Sequence, residues 1–197
     1  MSISKNTRET LFTLAYIIMA LVGTTAAGLL TFGWKFFVLP RPLLPFFVIG
    51  LAGALIYAAV QWRGFGFVFL VLVLFYSGEL AMMGSLRGPA LVPKLVGAAI
   101  FTLPVGVMLV AASYISRGLH RLKFGKFVIM AVLVAIGYGV MLILWLGRNH
   151  VGLQANALLY QSLVGLKVGA GIGLGVELVD LFGGHQPTRA YDLSENQ

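Results

Sequence analysis

Six long apolar blocks follow one another along this chain, separated only by short polar breaks. They cover about residues 10–32, 43–62, 67–83, 95–115, 127–146 and 158–182. The hydrocarbon core of a bilayer is about 30 Å thick, and a helix needs about 20 apolar residues to cross it. The pattern therefore predicts an all-α fold, a polytopic bundle of about six transmembrane helices.

The chain is also too poor in charged residues to form a water-soluble domain. Only 10% of its 197 residues are charged and 59% are hydrophobic, and the mean hydropathy is +0.96. A soluble domain has about 25% charged residues, which help to cover its surface. We therefore expect one membrane domain at residues 1–182, followed by a polar C-terminal tail at residues 183–197.

The net charge of +8 lies mainly in the breaks between the blocks. Because cytoplasmic loops of membrane proteins are rich in Lys and Arg, this distribution predicts that both termini are cytoplasmic. The densest basic group lies between the fourth and fifth blocks, and we expect it to contact anionic lipid headgroups or an acidic partner. It consists of Arg117, Arg121, Lys123 and Lys126. The sequence contains no basic stripe with interleaved aromatic residues, so it does not indicate a nucleic-acid partner.

The first block resembles a secretory signal in one respect. Lys5 and Arg8 precede an apolar run, as in the basic start of a signal peptide. The apolar character continues through Phe32, however, which is longer than a signal requires. We therefore expect this block to be the first transmembrane span.

The sixth block has an unusual load of glycine. Each glycine weakens helix propensity by about 1 kcal/mol relative to alanine, so a helix that keeps several is expected to need neighbours pressed against it. A four-residue spacing places side chains on one helix face. One such stripe comprises Gln161, Gly165, Gly169, Gly173 and Glu177, and a second contains Gly171 and Gly175. The pattern predicts a central helix, whereas a position such as Val71 in the third block is expected to face lipid.

Four charged residues lie within or near the predicted spans, where a charge costs about 2.5–3.5 kcal/mol at the bilayer centre. Such residues usually bind a substrate or ion, or pair with each other. Together with one amide, they are the candidate binding residues: Lys167, Glu79, Glu177, Asp180 and Gln161. The favoured arrangement is a Glu79–Lys167 pair. The alternatives are a snorkelling or purely structural Lys167, and interfacial positions for Glu177 and Asp180.

Small residues recur four apart in three of the spans, which permits close helix packing in lipid. The stripes are Gly50, Ala54 and Ala58, then Ser77, Ala81 and Ser85, and finally Ala98, Thr102 and Gly106. They indicate a compact bundle. The alternative is that they dock a partner helix.

Several classes of chemistry are excluded by composition. The chain has no cysteine, and His120, His150 and His185 all lie in predicted loops or in the tail. A thiolate metal site or an intramembrane haem is therefore not expected. The zinc-protease, nucleophile-elbow and P-loop motifs are also missing. We expect neither an enzyme nor a metal or cofactor.

The remaining classes are transport and assembly. The sequence favours a small membrane transport protein, or the substrate-binding membrane subunit of a transporter, in a bacterial cytoplasmic (inner) membrane. The alternative is a non-catalytic accessory or assembly subunit of a larger membrane complex. In both cases we expect the lipid bilayer and either other membrane subunits or a homo-oligomer as partners, and no nucleic acid.

Overall fold

A computed structural model describes residues 5–38, 40–62, 64–82, 91–118 and 125–183. These residues form helices joined by short connections and contain no strand. The helices are α1 Lys5–Phe32, α2 Lys35–Val38, α3 Pro40–Trp62, α4 Phe65–Met82, α5 Leu91–Gly118, α6 Gly125–Arg148 and α7 Ala155–Phe182. All except the single turn α2 are long and apolar enough to cross a membrane. The predicted six-span helical bundle is confirmed.

Two of the predicted breaks have defined backbone geometry. Gly33 and Gly64 adopt φ angles of 60° and 80°, a left-handed conformation that glycine tolerates and that ends α1 and α3. The break left between the first two apolar blocks, residues 33–42, is shorter than expected, because α3 already begins at Pro40. Proline is tolerated there because the first helical turn has no partner for its N–H groups. Pro45 lies within α3.

Five of the spans form a ring, in the order α6, α7, α1, α3, α5 and back to α6. The helix α4 lies outside the ring and contacts only α3 and α5 among the described elements. Its residue Val71 is nevertheless buried, so the expectation that it faces lipid is wrong. The helix α4 is apolar on every side, and its hydrophobic pattern therefore does not reveal which face packs inward.

The predicted central helix is α7, which packs most extensively against α6 and α1. A methyl group at Gly165 would lie 2.8 Å from the Tyr138 side chain, and one at Gly173 would lie 2.8 Å from Phe127 Cα, both on α6. On the other stripe, a methyl group at Gly175 would lie 2.6 Å from the Met19 backbone on α1. Each glycine stripe therefore meets a different neighbouring helix.

Two of the three small-residue stripes are used inside the bundle. Ala54 and Ala58 on α3 and Ala98 and Thr102 on α5 are all buried. The stripe on α4 differs, since Ser77 and Ala81 are exposed, and Ser85 lies outside the described residues. Close packing of the bundle thus accounts for the stripes on α3 and α5.

The beginning of α1 and the end of α7 meet at one end of the bundle, where Tyr16 donates a hydrogen bond to Asp180. We call this the terminal end, and the other the opposite end. The assignment of the terminal end to the cytoplasm stays a prediction. The predicted tail lies outside the described residues except for Gly183.

Candidate functional site

A cavity of about 380 Å³ lies within the bundle near the opposite end. We call it the bundle cavity, and every transmembrane helix contributes to its wall. One lining residue from each span, in chain order, is Phe32, Phe46, Glu79, Phe101, Tyr138 and Gln161. Residues from all six spans, including α4 outside the ring, therefore meet at this one cavity.

Two of the predicted binding residues, Glu79 and Gln161, line this cavity together. Glu79 lies three residues before the end of α4, and Gln161 lies in the second turn of α7. Among the described residues, no hydrogen bond or ion pair engages the Glu79 carboxylate. An acidic side chain within a membrane span that has no such partner is a usual mark of a binding or transport site.

Aromatic rings form most of the remaining wall. Six of the lining residues are aromatic, namely Phe32, Phe46, Phe75, Phe101, Tyr138 and Tyr160. Tyr160 and Phe32 are partly exposed and mark the rim, whereas Phe46, Phe75 and Tyr138 are buried. A mostly apolar wall with two convergent polar side chains is the usual composition of a small-molecule site.

A second polar group joins four helices at the terminal end. The Asp180 carboxylate on α7 accepts hydrogen bonds from the Tyr16 hydroxyl on α1 and, at 2.8 Å, from the Tyr57 hydroxyl on α3. It also forms an ion pair with the Lys126 ammonium on α6. We call these four residues the Asp180 cluster. Because the Lys126 and Asp180 side chains are each only 9% exposed, the pair is largely shielded from solvent.

Glu177, one helical turn before Asp180, also contributes to the contact between α7 and α6. It is buried, and its carboxylate accepts a hydrogen bond of 3.2 Å from the Lys126 backbone N–H. Lys126 is the second residue of α6, so the carboxylate satisfies an N–H group that has no partner within its own helix. The negative charge is also favourable near the positive end of the α6 dipole.

The basic group Arg117–Lys126 is therefore only partly a membrane-surface feature. Lys126 was expected to contact headgroups or a partner, but its ammonium is buried against Asp180. Arg117 donates a hydrogen bond of 3.2 Å to the Val60 carbonyl in the last turn of α3. Arg121 and Lys123 lie outside the described residues.

The favoured Glu79–Lys167 pair is not formed. The Lys167 ammonium instead donates a hydrogen bond of 3.3 Å to the Leu30 carbonyl, which belongs to the last turn of α1. The side chain thus extends from the middle of α7 towards the opposite end of the bundle, as a snorkelling lysine does. There it satisfies a carbonyl group that lacks a helical partner.

We expect Lys167→Met to have little effect on folding. The lost hydrogen bond is exposed, and a bond of this kind contributes about 0.5–1.5 kcal/mol. Methionine keeps most of the apolar stem, so packing between α1 and α7 is preserved. The melting temperature of the purified variant in detergent measures the effect. A loss as large as that of a buried ion pair would show that Lys167 has a partner beyond Leu30.

The sequence interpretation missed the two tyrosines of the Asp180 cluster. Tyr16 and Tyr57 are fully or almost fully buried within apolar spans, and their rings pack edge to face with centroids 5.1 Å apart. A buried tyrosine hydroxyl usually requires a hydrogen-bond partner. The sequence could therefore have indicated that these hydroxyls need acceptors, and that Glu177 and Asp180 are candidates.

Comparison of the chain with protein-family models, curated proteins and solved structures finds no match in any of the three. Function is therefore inferred from the bundle cavity and the Asp180 cluster alone.

Proposed function

We propose that this protein binds a small molecule in the bundle cavity, either as a membrane transport protein or as the substrate-binding membrane subunit of a transporter. The observation that carries the proposal is the Glu79 carboxylate, which no described residue pairs, in a cavity that all six spans line. The cavity lies at Glu79 and Gln161, and Lys167 is not among its lining residues.

The arrangement of the two ends supports transport. The cavity approaches the opposite end, where the rim residues Phe32 and Tyr160 are partly exposed. The Asp180 cluster joins α1, α3, α6 and α7 at the terminal end. A site that approaches one end of the bundle, with the helices joined to each other at the other end, fits one state of an alternating-access cycle.

The alternative of an accessory or assembly subunit receives less support. In that alternative the small-residue stripes would be the docking faces. The stripes on α3 and α5 are buried by packing within the bundle. Only the α4 stripe, with Ser77 and Ala81, is exposed in the described part of the chain. That stripe alone does not account for a cavity that all six spans line and that contains an acidic side chain.

Single-cysteine labelling tests the proposal, because the chain contains no native thiol. We expect Gln161→Cys to react with a charged, membrane-impermeant thiol reagent applied to membranes, since Gln161 lines a cavity with an exposed rim. The matched controls are Leu153→Cys, at an exposed position just before α7, and Ile172→Cys, at a fully buried position on α7. Leu153→Cys should react and Ile172→Cys should not.

The side from which Gln161→Cys reacts separates the two forms of the proposal. Reaction only from the side on which Leu153→Cys reacts indicates a one-sided binding subunit. Additional reaction from the other side indicates a carrier that also opens there. If Gln161→Cys is unreactive from both sides while Leu153→Cys reacts, the cavity is closed to water and the proposed function is rejected.

A further inference from the structure

The ligand class follows from the chemistry of the cavity wall. We propose that the bundle cavity binds an organic ammonium ion, with the charged nitrogen near Glu79 and an apolar body among the aromatic rings. This inference rests on the proposed function, since it names the ligand of the same site.

The first argument is charge. Glu79 is the only acidic or basic residue among those that line the cavity in the described part of the chain. The Lys167 ammonium is bonded to the Leu30 carbonyl instead, and the Lys126 ammonium belongs to the Asp180 cluster. A cationic ligand would therefore supply the counter-charge that the described residues do not place beside Glu79. An anionic ligand would be repelled.

The second argument is the aromatic wall. The face of an aromatic ring carries negative electrostatic potential and attracts a cation within about 6 Å of the ring centre. Aromatic cages of this kind recognise alkylated and quaternary ammonium groups. The six aromatic residues line the same cavity as Glu79. A simple metal cation would not be expected to need so many rings, because hard metal ions prefer oxygen ligands.

The third argument is size and amphipathic character. A volume of about 380 Å³ lies near the lower end of the range of small-molecule pockets, roughly 300–1,000 Å³. The aliphatic wall residues, among them Ile49, Val105 and Val164, leave room for an apolar body beside the charged group. Gln161 adds an amide that can donate or accept one directional hydrogen bond. A compact amine with one apolar substituent matches all three features.

A series of three probes with the same skeleton tests the inference on the full-length protein in a maltoside detergent, which contains no ammonium group. The probes are 3-phenylpropylamine, 3-phenylpropan-1-ol and 3-phenylpropanoate, which end in a cation, a neutral group and an anion. We expect the amine to bind at least about tenfold more tightly than the alcohol, and the anion to bind weakest. Calorimetric titration measures the affinities, and the shift in melting temperature checks them.

Variants of Glu79 identify the source of the preference. Glu79→Gln keeps the shape but removes the charge, so the preference for the amine over the alcohol should fall sharply, to the smaller part that the aromatic rings supply. Glu79→Asp keeps the charge and should retain the preference for the amine. Lys167→Met is the control, because it changes the charge by one unit outside the cavity and should leave the preference unchanged.

The outcomes for the ligand class and for the proposed function are separable. Equal binding of amine and alcohol to the native protein, or a preference that is undiminished in Glu79→Gln, overturns the ammonium inference. If no probe binds while Gln161→Cys still reacts with the thiol reagent, the ammonium class is also rejected, but the cavity stays a binding site of another class. If no probe binds and Gln161→Cys is unreactive, both proposals fail.

The ammonium group has two sources, a free amine or the headgroup of a lipid. Nanodiscs that contain phosphatidylethanolamine, compared with nanodiscs of phosphatidylglycerol alone, distinguish them. If a headgroup occupies the cavity, phosphatidylethanolamine should weaken 3-phenylpropylamine binding by competition. If the ligand is a free amine, the affinity should be the same in both membranes. Both results retain the ammonium class and assign its source.

Discussion

Replacing Gly169 by leucine should prevent the bundle from assembling in its native form. A methyl group at Gly169 would already overlap the Met130 backbone carbonyl and lie 2.8 Å from Val134 Cβ. Overpacking of a well-packed interface typically costs about 1–3 kcal/mol, and more when the obstacle is backbone that cannot rotate away. We therefore expect Gly169→Leu to give aggregated or sharply destabilised protein, which size-exclusion chromatography and a melting curve in detergent will detect.

Gly147→Leu is the matched control for this prediction. Gly147 lies in the last turn of α6, and a methyl group there would meet no atom within 4 Å. The same chemical change should therefore leave the elution profile and melting temperature close to those of the native protein. If Gly169→Leu behaves like Gly147→Leu, the contact between α7 and α6 is not the close one described above.

The ion pair between Lys126 and Asp180 should give the second large effect. Removing one partner of a buried ion pair leaves an uncompensated charge and costs roughly 3–5 kcal/mol. Asp180→Leu should be severe, because it strands the Lys126 ammonium and also deprives the Tyr16 and Tyr57 hydroxyls of their acceptor. Lys126→Met should also be destabilising, since it leaves the Asp180 carboxylate with two neutral donors only.

The double variant Lys126→Met with Asp180→Leu should recover part of the loss, because neither charge then stays buried without a partner. Melting temperatures of the native protein, the two single variants and the double variant complete a thermodynamic cycle. Additive losses would mean that the two residues do not interact. Recovery should be incomplete, because the hydroxyls of Tyr16 and Tyr57 still lack their acceptor.

The transmembrane spans were predictable because bilayer thickness fixes the length of each apolar block. The close packing of α7 against two neighbours was also predictable, since the stripes through Gly169 and Gly171 are tolerated only where other helices press against them. Both inferences depend on the pattern within one helix, and neither requires knowledge of which helices meet.

The order of the helices around the bundle was not predictable in this way. Counting residues along the predicted spans places Glu79 and Lys167 at similar depths in the membrane. The helices α4 and α7 are not neighbours, however, so depth alone suggested the wrong pair. Lys126 was assigned to a loop because charge ends an apolar block, whereas α6 already begins at Gly125 and brings Lys126 against Asp180. Which helices pack side by side in lipid depends on their shape and on hydrogen bonds between them, and the hydrophobic pattern of the sequence does not show either.

The convergence of three donors on the single carboxylate of Asp180 has a mechanical consequence. Tyr16, Tyr57 and Lys126 belong to three different helices, and each is bonded to the same residue of α7. A shift of α7 along its axis by one residue, about 1.5 Å, would displace the acceptor of all three bonds at once. We therefore expect the terminal ends of α1, α3, α6 and α7 to move as one unit, or to separate with the loss of all three bonds.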